Sequence, residues 1–288
     1  MKRRDAAQQI EPVQIMVKFI SAACVAALVL LLAGPSASAD EIACRPADHS
    51  PSTTGVVLLH GTLEPSYWLM PLKKKLDAAG FRTAMPEMPW STRREYDRTY
   101  EESMDEIATA ATGLERRGAR RIVLAGHSMG GNAALGYAAL RGGAAGLVII
   151  SPGPFAEDSE VQRLIAPGMA KARQMIAAGQ GGEVGVFKDL VQWHGSMEGA
   201  HTTAKNYFSY YNPDGNAVIS KNAARMKPGM AVLWLIGVEE EGERVAVRSY
   251  AFDKLPPNRL NRYIVVPKGH LDTPATGADS IIAWLKCL

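Results

Sequence analysis

Apolar residues in this chain gather in short, nearly unbroken runs: Gly55 to His60, Phe81 to Met85, Arg121 to Ala125, Gly146 to Ser151, Ala231 to Gly237 and Arg262 to Val266. Each run is too short for a helix and lacks the polar alternation of a half-exposed strand, which predicts strands buried on both faces in a parallel sheet. Between them the apolar spacing changes to the helical repeat, at Trp68 to Ala79 before Gly80, Tyr100 to Arg117 before Gly118, Met129 to Arg141, and Ala278 to Leu288. Strand and helix in alternation predict an α/β class with a doubly wound, mostly parallel sheet. The rhythm fails between Ser151 and Met230, where no strand is expected and the helical pieces run from Val161 to Ala178 and from Glu183 to Trp193.

That break predicts a helical cap at residues 152–230, inserted between core segments 40–151 and 231–288 and placed over the strand ends. It is rich in Met and aromatic residues: Phe155, Met169, Met175, Phe187, Trp193, Met197, Tyr207, Phe208, Tyr210 and Tyr211. These either line an apolar pocket or pack the cap onto the core.

The first 39 residues follow another pattern. Lys2, Arg3, Arg4 and Lys18 precede an apolar run from Phe19 to Ala33, then Gly34-Pro35 and Ala37-Ser38-Ala39. This reads as a secretory signal cleaved between Ala39 and Asp40; a signal starting at Met16 has the more usual basic segment. The run is shorter than the roughly 20 residues of a membrane span, so no stable span is expected after cleavage and the mature chain is placed in the periplasm or outside the cell. Cleavage removes four basic and two acidic residues, lowering the formal charge from +3 to about +1. A nearly neutral surface without a basic-aromatic stripe excludes nucleic acid as the expected partner. Cys24 leaves with the signal, and an oxidising compartment permits Cys44 and Cys287 to pair, a disulfide tying the mature chain's ends.

The candidate chemistry centres on Gly126-His127-Ser128-Met129-Gly130-Gly131, which joins a strand pattern to an alanine-rich helical one. This is the strand-turn-helix of a nucleophile elbow, in which Ser128 stands exposed at the sheet's end. A serine hydroxyl needs a base and a group to orient that base. His270 follows the last strand in Val265-Val266-Pro267-Lys268-Gly269-His270, and Glu240 follows the preceding one in Gly237-Val238-Glu239-Glu240. Glu239 is the alternative acid, while Asp272 is too close in sequence to His270 to reach back easily. Backbone N–H groups of Met129 and of Thr62, or failing that Leu63, are expected to bind an oxyanion. His60 and His127 read as loop-shaping residues. No metal site is expected: His194 and His201 lack the spacing or companions of a zinc site, and no cofactor is implied.

Ser128, Glu240 and His270 in that order, with His60-Gly61 upstream, resemble the α/β-hydrolase family over Gly55 to Ser151 and Ala231 to Leu288. Pro86-Glu87-Met88-Pro89-Trp90-Ser91, Arg94 and Tyr96-Asp97 look like a little-characterised bacterial branch of secreted or periplasmic members. The resemblance implies a serine hydrolase acting on a small-molecule acyl substrate through an acyl-enzyme, with glutamate where most of the family has aspartate. Thioesterase, peptidase or acyltransferase chemistry, or a non-catalytic binding role, would use the same fold.

Overall fold

The computed structural model describes residues 50–190, 199–243 and 247–288. The signal segment, Cys44, and Trp193, His194 and Met197 lie outside the described residues.

Six strands form the main sheet: β1 (Thr54–Leu59), β2 (Arg82–Ala84), β3 (Arg121–His127), β4 (Gly146–Ile150), β7 (Ala231–Gly237) and β8 (Arg262–Val266). They lie in the order β2-β1-β3-β4-β7-β8, and every neighbouring pair is parallel. The chain thus starts near the middle, winds to one edge, returns and winds to the other, the doubly wound arrangement that opens a crevice at the carboxyl ends of the strands. All six residues of β1 and all seven of β7 are buried, as double coverage requires.

Side chains alternate between two cores. Val57, Leu59, Leu124, Ile149 and Trp234 pack on one face against Met104, Ile107 and Leu114 of α2 (Tyr100–Arg116) and Leu135 of α3 (Met129–Leu140). Val56, Leu58, Val123, Val148 and Leu233 pack on the other against Leu72 and Leu76 of α1 (Met70–Ala78) and Ile281, Trp284 and Leu285 of α10 (Ala278–Leu285). Helix α2 starts where a capping box allows: Thr99 Oγ1 accepts the Glu102 N–H at 3.2 Å, and Glu102 Oε2 accepts the Thr99 N–H at 2.8 Å. Short helices α7 (Val238–Glu243) and α8 (Val247–Tyr250) follow β7, and α9 (Thr273–Thr276) precedes α10.

Between β4 and β7 lie α4 (Ser159–Ala177), α5 (Ala204–Tyr211) and α6 (Ile219–Arg225), together with a two-stranded antiparallel ribbon of β5 (Val184–Phe187) and β6 (Ala200–Thr203). The ribbon corrects the expectation of no strand here and of a helix beginning at Glu183. Val184-Gly185-Val186-Phe187 is poor in helix formers, and its partner lies beyond a chain reversal that local periodicity does not register. The cap is anchored by tyrosines. Tyr96, Tyr210 and Tyr211 are buried, the Tyr96 and Tyr211 hydroxyls are 2.9 Å apart, and Tyr211 donates to the Asp189 carboxylate. Burial first, and then the Asp189 charge, push the Tyr96 and Tyr211 hydroxyls well above their ordinary pKa, so they stay protonated donors. The packing reading of the cap aromatics therefore holds for Tyr210, while Tyr211 also touches the pocket described below.

Candidate active site

Because the strands are parallel, the segments leaving β1, β3, β4, β7 and β8 emerge at one end of the sheet. Ser128 sits between β3 and α3 at φ 54° and ψ −119°, a backbone region L-residues occupy only under constraint. The constraint is the closeness of strand and helix. A Cβ on Gly126 would lie 2.1 Å from the Gly130 carbonyl oxygen, and one on Gly130 would lie 2.1 Å from the Leu59 carbonyl oxygen. Both positions therefore require glycine.

Glu240, in α7, is buried, and its carboxylate is held from two sides. The Ser151 hydroxyl donates to Oε1 at 2.6 Å, and His270 Nδ1 lies 2.7 Å from Oε2. A carboxylate accepts only, so Nδ1 carries the hydrogen and Nε2 is left as the basic nitrogen. The approach depends on Gly237, where a Cβ would lie 2.6 Å from the Lys268 carbonyl oxygen and push the two loops apart. Glu239 is exposed and its carboxylate lies against Gly269 instead. Asp272 N-caps α9.

Ser128 and His270 line one pocket of about 580 Å³, together with Thr62, Leu63, Glu64, Trp68, Phe155, Leu190, Tyr211 and Leu271. Among the described residues no hydrogen bond joins Ser128 Oγ to His270 Nε2, although both side chains line the same cavity. The Met129 N–H is the first of α3 and has no partner within the helix. Of the two β1-loop candidates, the Leu63 N–H is engaged, donating to the Trp90 carbonyl at 3.1 Å, whereas Thr62 lines the pocket.

The loop after β1 is braced by the segment after β2. Trp90 Nε1 donates to the His60 carbonyl at 2.7 Å, and His60 Nε2 accepts the Met88 N–H at 2.9 Å while its Nδ1 donates to the Gly61 carbonyl at 2.8 Å. Those bonds fit a neutral imidazole, and burial lowers the pKa of His60 accordingly. Arg94 extends the brace through Glu106 at 2.6 Å and the Glu87 carbonyl at 2.8 Å. Ser151 and Glu64 are the site-forming residues that sequence reasoning missed. A serine directly ending the β4 run is a weak signal for the first, and nothing in the local pattern marks the second.

Residues 56–278 match the model of the Alpha/beta hydrolase family, and the chain belongs to that family. No curated protein matches it. Among solved structures it resembles a thermostable carboxyl esterase from Bacillus coagulans in complex with glycerol, at TM-score 0.58 and 16% identity, covering 84% of this chain and 90% of that one. It also resembles a monoacylglycerol lipase of Paleococcus ferrophilus, at TM-score 0.56 and 20% identity, covering 85% and 98%. A third similar structure comes from a study of the metagenome-derived lipolytic enzymes LipS and LipT, at TM-score 0.54 and 17% identity, covering 83% and 94%. At these identities the likeness is one of fold.

Proposed function

We propose that this chain is a serine hydrolase that cleaves carboxylic ester bonds in small acyl substrates through an acyl-enzyme. The observation that carries the reading is the Glu240–His270 contact of 2.7 Å beside a pocket that His270 shares with Ser128. Ser128 Oγ attacks the acyl carbon while His270 Nε2 takes its proton, and the N–H groups of Met129 and Thr62 stabilise the oxyanion. His270 returns the proton to the leaving alcohol, then takes one from the water that attacks the acyl-enzyme and gives it to Ser128 Oγ as the acyl–oxygen bond breaks and the acid leaves. Glu240 keeps the imidazole in the required tautomer throughout, and Ser151 keeps Glu240 in place. The apolar lining from Leu63, Trp68, Phe155, Leu190 and Leu271 suits an acyl chain, and an ester bond is in keeping with the esterase and lipase whose fold the chain resembles.

The signal segment exports the protein to the periplasm or medium, where Cys44 and Cys287 pair. A fluorophosphonate probe and a series of p-nitrophenyl esters of increasing chain length test the activity. Labelling and turnover in the wild type, both lost in Ser128→Ala, are expected; an unlabelled, inactive wild type in a folded state makes the chain a binding protein instead.

A further inference from the structure

His127, the residue before Ser128, is fully buried, and each of its ring nitrogens faces an acceptor. Nδ1 lies 3.0 Å from Glu64 Oε1, and Nε2 lies 2.9 Å from the backbone carbonyl oxygen of His270. Neither a carboxylate nor a carbonyl oxygen donates, so both contacts are hydrogen bonds only if both ring nitrogens carry hydrogen. Glu64, for its part, accepts the Gly61 N–H at 2.8 Å. One continuous path therefore runs from the turn that presents the Thr62 N–H, through a carboxylate and the His127 ring, to the loop that carries the basic imidazole. The three segments it joins leave β1, β3 and β8; β1 and β3 are neighbours in the sheet, whereas β8 is separated from β3 by β4 and β7.

From this geometry we infer that Glu64 and His127 are positioning residues for the hydrolase reaction, a charged clamp that fixes the oxyanion loop and the His270 loop relative to Ser128. The inference rests on the hydrolase reading for its kinetic consequence but not for its structural one. Three observations carry it. First, Glu64 lines the substrate pocket, where an uncompensated carboxylate would repel the developing oxyanion, and the His127 ring lies directly against that carboxylate. Second, burial opposes ionisation of Glu64, yet the hydrogen bond and charge of His127 and the Gly61 N–H together hold its carboxyl below the ordinary value of 4.5. Third, the His127 and His270 rings are in contact, with centroids 4.7 Å apart, so a shift of one moves the other. The ionisable groups facing His127 are Glu64 and His270, with Glu240 on the far side of the latter.

Glu64→Gln tests this with little change in shape. The amide fills the same space and still accepts the Gly61 N–H, but it removes the negative charge that favours a ring carrying hydrogen on both nitrogens. In protein labelled with 15N-histidine, wild type is expected to show two slowly exchanging ring N–H signals from one buried imidazole, and Glu64→Gln to lose the one at Nδ1. A single ring N–H on that imidazole in wild type overturns the clamp. In the same preparations, fluorophosphonate labelling and kcat of Glu64→Gln are expected to fall at least about fivefold, the scale of a sub-ångström misplacement, with KM changed less than about twofold. A smaller fall in kcat, or a loss confined to KM, overturns the positioning role. If wild type itself is not labelled, the hydrolase reading fails, and the N–H count still decides whether the clamp exists.

Discussion

At the scale of single residues, the site is a set of side chains whose partners determine which hydrogen goes where. Glu240 accepts from both Ser151 and His270, so Glu240→Gln presents a donor to one of them and favours the wrong imidazole tautomer. The expected result is a fall in kcat on the order of 10³-fold with KM little changed, read from ester hydrolysis. Glu239→Gln, on an exposed side chain, is expected to stay within about threefold of wild type. The difference shows what local pattern can and cannot convey. Three adjacent carboxylates after a strand announce that an acid is available; which one meets the imidazole depends on Gly237 letting the β8 loop approach, a contact between segments with no mark in either. Ser151 and Glu64 escaped for the same reason, being ordinary polar residues until the fold supplies the groups they bind. Leu63 stood behind Thr62 as the second donor, and the Trp90 carbonyl engages its N–H.

At the scale of elements, the buried strands and their flanking helices were legible because burial on both faces writes itself as continuous apolar runs, and because Thr99 and Glu102 mark a helix start directly. The β5–β6 ribbon was not, since antiparallel pairing across the cap is a tertiary event. The elbow is the element most sensitive to volume. Gly130→Ala places a methyl against the Leu59 carbonyl, so a loss of at least about 3 kcal/mol in unfolding free energy, or failure to fold, is expected in urea denaturation. On the proposed hydrolase reading the cap sets selectivity: Phe155→Ala or Leu190→Ala enlarges the apolar pocket, and the preferred p-nitrophenyl ester should lengthen. An unchanged chain-length profile in both variants would locate the acyl site elsewhere.

Across the whole molecule, the buried His60 and the half-buried Glu64 bias stability against acid. Burial keeps the folded pKa of His60 below its ordinary 6.5, so the unfolded chain takes up the proton first and stability declines as the pH falls below about 6.5. The Glu64 contribution is intact above about 4.5 and disappears as the pH drops through its lower folded value. Urea midpoints measured from about pH 7 to 5 should fall, and His60→Gln, which retains a donor and an acceptor, should flatten that slope. The proposed pairing of Cys44 with Cys287 predicts no free thiol in unreduced mature protein, checked by thiol titration, and the proposed signal cleavage predicts a mature amino terminus at Asp40, checked by amino-terminal sequencing.

Leu63, Ser128, Ser151 and Lys268, none of them glycine, all hold positive φ just past strands β1, β3, β4 and β8. Such conformations cost about 1–2 kcal/mol each, and here they ring the reactive end of the sheet. Selection for heat resistance would therefore find its easiest gains where turnover is most exposed to loss. Lys268→Gly should melt up to a few degrees higher and work more slowly, a trade between durability and speed fixed by where the backbone is bent.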